Sequence, residues 1–536
     1  YDENAIEYAS EYGRVNVLEW FKTICTNSNY QFKYDNSIYE VKCEEGVIEY
    51  ACKNGHTNVL EWFKNSGYKF IYNENAINNA CEYGHIHVLE WWKNSGYELK
   101  YNKCAIEEAC SFAHINVLEW FKNSEYEFKY DESTIEHASI HGRVNVLEWW
   151  KNSGYELIYD EYSTSFASLN GYVNVLEWFK NSGYEFKYDE NAINFASQNA
   201  HIHVLEWWKN SEYKLKYDER AVNNACLHGH VNVLEWFNIL CENSEYEFEF
   251  DGDASENASK NGHVHVLEWL KSNDITSGGS GYNFNVVFFA SLYGHVNVLE
   301  WWKNNGYEFY FNDSSISDAA KKGHVNVLEW WLNLCKNSDY EFKYNDATLD
   351  WVSAYGHVNV LEWWSNLCKN SEYEFIYSED AINMASKNGQ VNSLEWWSNL
   401  CKNSGYEFKY NKLAINHAST NGHLNVLEWF KNSGYEFKYD EIAINQASEN
   451  GHVDVLEWFK NSGYEFKYDE SAINNAFKFE RIHVLEWWKK LCNNSEYEFK
   501  YDNSALAHAD ECVIAWYEEN INNIPDIMRN VPHIPY

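Results

Sequence analysis

Histidine is the side chain of this 536-residue sequence whose spacing most resembles that of a metal ligand. It recurs directly after a glycine, and His-x-His pairs occur at His85/His87, His201/His203 and His263/His265. Packed helices lie about 9–10 Å apart, whereas zinc ligands lie about 2 Å from the ion. Histidines one repeat apart therefore predict turn-stabilising hydrogen bonds, and we expect no metal site.

Thirteen cysteines stand at fixed positions of a repeat rather than in Cys-x-x-Cys pairs. Cys335, Cys368 and Cys401 occupy the same place in three successive copies, but a disulfide requires Cα atoms within about 7 Å. We predict buried, reduced thiols. With no signal peptide and no apolar span of about twenty residues, the sequence predicts an intracellular, cytoplasmic protein that does not enter a membrane.

A catalytic cluster is normally unique, whereas the reactive side chains here are multiplied with the repeat. The Gly-Gly-Ser-Gly stretch at 278–281 lacks the Lys-Ser/Thr that follows in a phosphate-binding loop. We therefore predict no enzyme, no catalytic residue and no cofactor.

The formal charge of −39 repels the phosphate backbone, and no run of lysine or arginine opposes it. The composition therefore predicts another protein, basic in character, as the partner, and it excludes nucleic acid.

The positions of these residues are set by a repeat whose most regular part is Val-Leu-Glu-Trp, most often 29 residues apart. In residues 439–467, a first helix opens after an Asp or Asn cap and ends at Gly451. A second helix gathers Val455, Leu456, Trp458 and Phe459 on one side, which predicts that the tryptophan ladder lies in the core. Neither helix is stable alone, so the copies must stack.

The array predicts an all-α solenoid of about seventeen helix-turn-helix repeats, continuous over residues 1–517. Two segments are irregular, at 37–45 and 272–283. Residues 518–536, which contain Pro525, Pro532 and Pro535, predict a C-terminal cap and a proline-containing tail.

The text NGHVNVLEWWKNSGYEF resembles an ankyrin repeat. The Thr-Pro-Leu-His opening of that family is replaced by sequences such as Asn-Ala-Ile-Asn. The repeat is also shorter than that of the family, which implies truncated hairpins. The chain is similar to the divergent short-repeat ankyrin arrays of giant DNA viruses of amoebae and of protists. This resemblance implies protein–protein interaction and allows an association with virus particles.

One first-helix position varies strongly between copies, and the resemblance implies that this helix lines a concave groove. Aromatic, methionine and histidine side chains there suit a protein contact. An equally open alternative is a half-buried position that tolerates many shapes. The candidate partner-binding residues are Phe166, Phe195, Phe289, Trp351, Met384 and His417.

Two functions agree with these features. The first is a non-catalytic scaffold that binds a partner protein along its concave face. The second is a structural subunit that self-associates into a filament or coat, such as that of a virus particle, because end-to-end contacts between copies build fibres.

Overall fold

The structure is a computed structural model, and it describes residues 4–27, 46–242, 244–248, 253–273, 284–309, 313–371, 373–502 and 510–521. The irregular segment at 37–45, the Gly-Gly-Ser-Gly stretch and the three prolines of the tail lie outside these residues. The predicted cap is therefore described only at 518–521.

The described residues form 33 α-helices and no strand, arranged as a helical repeat solenoid, which confirms the predicted fold class. Each repeat contributes a first and a second helix, except that only the second helix, α33, is described for the last repeat. The first helices are α1 Asn4–Glu11, α3 Val47–Lys53, α5 Asn75–Glu82, α7 Cys104–Ser111, α9 Glu132–Ile140, α11 Tyr162–Leu169, α13 Asn191–Gln198, α15 Glu219–His228, α17 Asp253–Lys260, α19 Phe284–Leu292, α21 Asp313–Lys321, α23 Thr348–Ala354, α25 Asp380–Lys387, α27 Leu413–Thr420, α29 Ile442–Asn450 and α31 Ser471–Lys478.

The second helices follow the turns that close the first helices. They are α2 Val15–Asn27, α4 Thr57–Ser66, α6 Ile86–Ser95, α8 Ile115–Lys122, α10 Val144–Ser153, α12 Val173–Asn181, α14 Ile202–Asn210, α16 Val231–Glu242, α18 Val264–Ser272, α20 Val296–Asn304, α22 Val325–Lys336, α24 Val358–Lys369, α26 Val391–Ser404, α28 Leu424–Ser433, α30 Val453–Ser462, α32 Ile482–Asn493 and α33 Glu511–Asn520.

The predicted cap and stop of the first helix are both present. Asn73 Oδ1 accepts the backbone N–H of Asn75 at 2.7 Å, which satisfies one of the free donors at the start of α5. At the other end of a first helix, Gly451 closes α29 with a φ of 89°. Glycine adopts this left-handed conformation without the Cβ clash that other residues meet.

The chain forms two compact units. Unit 1 comprises residues 1–258 with 265–279, and unit 2 comprises 259–264 with 280–536. From α1 to α16 in unit 1 and from α19 to α32 in unit 2, the first helices of successive repeats pack closely side by side, the second helices pack on their own first helices, and successive second helices make looser contact. Continuity of one solenoid over 1–517 stays a prediction.

The core of a repeat is built from the apolar side chains of both helices. In the repeat of α9 and α10, the side chains of Ile135, Val146, Leu147 and Trp150 are fully buried. Trp150 is the second residue of the aromatic pair, whereas the preceding Trp149 is only half-buried. Among the described copies, the tryptophan of Val-Leu-Glu-Trp is buried at Trp236, Trp301 and Trp330 and is half-buried or exposed in the others. The prediction that this tryptophan forms the core is therefore wrong for most repeats, where the next residue takes that place.

Candidate partner-binding surface

Where a histidine follows the residue that closes a first helix, it joins its turn to the preceding repeat. The ring Nε2 of His85 lies 3.0 Å from the carbonyl oxygen of Lys53, and that of His114 lies 2.9 Å from the carbonyl of Glu82. The second histidine of the first His-x-His pair, His87, has its Nε2 2.8 Å from the carbonyl oxygen of Gly55. These contacts confirm the predicted turn hydrogen bonds. Among the described residues no group of three or more potential ligands could hold a metal ion.

The three cysteines in successive long second helices, Cys335, Cys368 and Cys401, are free thiols. They are half-buried rather than buried, and desolvation by their neighbours raises the pKa of each thiol to about 11. The thiolate is disfavoured because the surroundings replace water around its charge. Thiols of this kind are poor nucleophiles at neutral pH.

The glutamate and the tryptophan of Val-Leu-Glu-Trp form a ladder along the second helices that sequence reasoning missed. The Trp91 indole N–H donates to Glu61 at 2.9 Å, and the Trp149 N–H donates to Glu119 at 2.6 Å. The hydrogen bond from Trp91 lowers the pKa of the Glu61 carboxyl. The constant pairing of Glu with Trp from copy to copy was the available signal.

The buried second aromatic residue has a separate partner on the preceding first helix. The Trp208 N–H donates to the Ser168 hydroxyl at 3.1 Å, and the Trp397 N–H donates to Ser353 at 2.8 Å. In other repeats a cysteine sulfur accepts instead, as that of Cys110 does at 3.4 Å. The residues that stay constant between copies thus join one repeat to the next.

A distinct surface is formed by residues that vary between copies. We define the first-helix surface as the residues five, two and one positions before the residue that closes each first helix. The closing residue is a glycine, or Ala113, Ala200 or Glu480, and it has a positive φ. All six candidate residues from the sequence stand at the position five before the closing residue.

The structure places these six side chains between core and solvent. Five are half-buried, and Trp351 is 40% exposed. Phe166 and Phe195 come together in unit 1, where their rings stack with centroids 6.5 Å apart. The remaining four candidates lie on first helices of unit 2, namely α19, α23, α25 and α27. Half-burial agrees with both interpretations of the variable position, and binding by these residues stays a proposal.

Side chains of neighbouring repeats also meet on the first-helix surface, a pairing that sequence reasoning missed. The residue five before the closing residue contacts the residue that stands two before the closing residue in the preceding repeat. The Lys260 ammonium lies 4.3 Å from the ring centroid of Phe289, and that of Lys321 lies 4.9 Å from the Trp351 ring. With polar side chains the same positions form a hydrogen bond, as where the Thr420 hydroxyl donates to the side-chain oxygen of Gln446 at 2.6 Å. The pairing is therefore a property of the repeat geometry rather than of one residue type.

Exposed aromatic rings stand one residue before the closing residue. Tyr83, Phe112, Tyr293 and Tyr355 are 45–48% exposed. Tyr355 stacks on Trp351 with centroids 6.3 Å apart. Adjacent exposed apolar side chains of this kind mark interaction sites more often than single ones do.

His417 is the candidate with a polar atom that lacks a hydrogen-bond partner. Its Nδ1 is buried and unpaired. Burial, followed by the nearby positive charge of Lys387, lowers the pKa of the ring. The neutral imidazole is therefore the stable form at neutral pH.

The charge of the first-helix surface differs from that of the whole chain. From α1 to α31 its lysines are Lys53, Lys260, Lys321, Lys322, Lys387 and Lys478. Its acidic residues are Glu11, Glu82, Glu108, Asp318 and Glu449. These charges nearly balance, so most of the net −39 lies elsewhere, as with the exposed Glu341, Glu436 and Glu465 that follow second helices.

No protein-family profile and no curated protein matches this chain. Among solved structures, the pentatricopeptide repeat protein PPR10 from maize is 12% identical with a TM-score of 0.27, over 96% of this chain and 80% of that one. The same protein in complex with an 18-nt psaJ RNA element is 12% identical with a TM-score of 0.24, over 90% and 83% of the two chains. At this identity the likeness concerns a helical repeat fold alone, and it leaves the ankyrin type and the viral resemblance unconfirmed.

The prediction that excluded nucleic acid as a partner is contradicted, since one of these repeat structures holds an RNA. The prediction rested on the total charge, which does not describe the nearly balanced first-helix surface. No helix among the described residues is long and apolar enough to cross a membrane.

Proposed function

We propose that this chain is a non-catalytic scaffold that binds a partner protein along its first-helix surface. The observation that carries the proposal is the exposure of Trp351 and Tyr355, at 40% and 47%, in an array whose constant residues join neighbouring repeats. Tryptophan, tyrosine and methionine are enriched at protein interfaces, and the two aromatic residues often contribute most of the affinity. Variation between copies lets each repeat contact a different part of one extended partner.

The state of the reactive side chains supports a non-catalytic role. Burial raises the pKa of the Cys226 thiol to about 12, and a ring nitrogen of turn histidines such as His230 faces a backbone carbonyl. A nucleophile or general base needs a pKa near neutrality and access to a substrate. The ankyrin type of the repeat and an association with virus particles belong to the same proposal and rest on the sequence motifs.

The alternative, a self-assembling structural subunit, is tested first. Light scattering of the purified chain over a range of concentrations is expected to give one constant mass. Growth of the mass with concentration would instead favour the filament or coat.

The binding role is then tested with a peptide selected from a display library on the full chain. We expect Trp351→Ala with Tyr355→Ala to weaken binding of the selected peptide by about thirtyfold, because hot-spot residues contribute about 2 kcal/mol or more. The matched control is Ile376→Ala, which removes a side chain that is 38% exposed outside the first-helix surface. Equal affinity of both variants would contradict the proposal.

A further inference from the structure

In unit 2, the first-helix surface carries lysines beside aromatic rings from Lys260, at the end of α17, to α25. This stretch contains four steps between neighbouring first helices. We define the lysine–aromatic patch by its basic and aromatic residues. The basic residues are Lys260, Lys321, Lys322 and Lys387, and the aromatic residues are Phe289, Tyr293, Trp351 and Tyr355. Asp318 is the single acidic residue at the same positions of these repeats.

Two of the lysines lie on the rings rather than away from them. Lys260 lies over Phe289, and Lys321 lies 4.9 Å from the Trp351 ring centroid and 6.0 Å from that of Tyr355. Asp318 is within 3.9 Å of Lys321 and offsets one charge of the four. Lys322 and Lys387 are exposed. The patch therefore combines an excess of positive charge with exposed apolar rings.

Resting on the proposed function, we infer that the segment bound by unit 2 is acidic: an extended peptide that places carboxylates against the lysines and apolar side chains against the rings. Charge complementarity between this patch and its ligand carries the inference. The basic partner expected from the total charge does not fit it. The exposed glutamates that follow second helices, such as Glu341, would repel an acidic segment, which favours binding at the lysines of the first-helix surface.

The repeat spacing sets the length of the peptide. Four steps of about 10 Å between neighbouring helices give ~40 Å. An extended chain advances about 3.3 Å per residue, so about 12 residues span the patch. The two aromatic pairs, Phe289 with Tyr293 and Trp351 with Tyr355, lie two repeats apart, which corresponds to apolar peptide residues about six positions apart.

A single-stranded nucleic acid would also carry negative charge and planar groups. Base stacking requires a free ring face. The ring of Trp351 already stacks on Tyr355 and contacts the Lys321 ammonium. These contacts leave less of the Trp351 ring free for a stacked base than for an aliphatic side chain beside it, and RNA becomes an arm of the test.

The test measures fluorescence anisotropy of labelled probes with the full chain at low salt. The first probe is a peptide of about 14 residues, glutamate-rich with two leucines about six positions apart. The second replaces each glutamate by lysine, and the third is an oligouridylate of similar length. We expect the acidic peptide to bind at least about tenfold more tightly than either of the others, with an affinity that falls as salt is added.

Variants locate the site. Lys321→Glu with Lys322→Glu is expected to weaken binding of the acidic peptide by about tenfold or more, because two attractive charges become repulsive. The matched control, Lys336→Glu with Lys369→Glu, makes the same charge change on the exposed ends of α22 and α24. It is expected to leave the affinity within about twofold.

The two proposals fail differently. The acidic ligand is overturned if the lysine peptide binds more tightly than the acidic one, or if the two double variants bind the acidic peptide equally well. The scaffold is still supported in that case if Trp351→Ala with Tyr355→Ala weakens binding of the selected peptide. Tighter binding of the oligouridylate overturns it in favour of nucleic acid. A chain that binds no probe and grows in mass with concentration overturns the scaffold as well.

Discussion

The indole of Trp364 lacks the hydrogen bond that its counterparts in other repeats make. Trp397, one repeat later, donates to Ser353 at 2.8 Å. The residue equivalent to Ser353 in the preceding first helix is Ala320, which is fully buried, and Trp364 Nε1 has no acceptor in hydrogen-bonding geometry. Replacing Ala320→Ser supplies the acceptor and is expected to stabilise unit 2.

The size of the effect follows from three contributions. An unsatisfied buried N–H costs about 1–3 kcal/mol, and serine in a helix is about 0.5 kcal/mol less favourable than alanine. The new hydroxyl can donate to the carbonyl four residues earlier, as Ser353 does to Leu349 at 2.7 Å. The Trp364 N–H lies near the Tyr344 hydroxyl, whose pKa is raised by burial and held back by this N–H. The interaction with Tyr344 offsets part of the cost of burying the Trp364 N–H. A net gain of about 1 kcal/mol remains.

The assay is hydrogen exchange of the backbone amides in α22 to α24, together with the urea midpoint from circular dichroism. Local exchange is preferred because long repeat arrays depart from two-state unfolding. A gain of about 1 kcal/mol slows exchange about fivefold. The opposite variant, Ser353→Ala, is expected to cost about 1–3 kcal/mol by leaving Trp397 without an acceptor.

Ser419→Ala is the control, because the aromatic residue at the equivalent position of its neighbouring repeat is Phe459, which has no side-chain N–H to satisfy. It should cost clearly less than Ser353→Ala. The reasoning is refuted if Ala320→Ser is neutral or destabilising while Ser353→Ala and Ser419→Ala cost the same.

Three further predictions concern the inter-repeat contacts. Burial lowers the pKa of His324 and His357 in the folded protein. Between the folded and the unfolded pKa values, the unfolded chain therefore binds more protons than the folded one. The stabilisation is complete above the unfolded pKa of about 6.5 and is lost as the pH falls from there through the lowered folded values. Urea midpoints should decline from about pH 7.5 to about pH 5.5, and His324→Gln with His357→Gln should reduce that slope, whereas an unchanged slope argues against the histidines. Gly422→Ala should lower the free energy of unfolding by about 2 kcal/mol or more, because Gly422 has a φ of 73° and the added Cβ would lie 2.7 Å from a histidine ring. Ala200→Gly should raise the free energy of unfolding by about 1 kcal/mol, because Ala200 has a φ of 55°. Thermal or urea unfolding measures both changes. Trp149→Phe keeps an aromatic ring but removes its hydrogen bond to a carboxylate, so a loss of about 1 kcal/mol is expected in urea unfolding, and a neutral result would mean that the ladder adds no stability.

The sequence by itself determined the helices and their stops. Gly451 ends α29 in the left-handed conformation, as its position after a regular apolar pattern predicted. Capping by residues such as Asn73 follows from the same local chemistry, since a side-chain oxygen two residues before a free N–H can accept from it. Local structure is encoded by neighbours in sequence, so these features were predictable.

The inward side of the second helix was decided only by tertiary structure. Trp149 and Trp150 are adjacent in sequence and about 100° apart around the helix, so either could face the core. Trp150 is buried where it donates to Cys110 of the preceding repeat and contacts the rings of Phe128 and Tyr130. Glu119 of the preceding repeat holds Trp149 at the surface. The deciding partner lies 30 residues away in the chain, beyond the reach of a helical period.

The first-helix surface was predicted in its position but not in its chemistry. Variation between copies pointed to residues such as Phe289 and Trp351, yet nothing in their own repeats indicated that Lys260 and Lys321 would lie on their rings. Those contacts depend on the distance and rotation between neighbouring first helices, which the packing of whole repeats sets. For the same reason the total charge does not describe the first-helix surface, because it sums residues that the fold distributes to different faces.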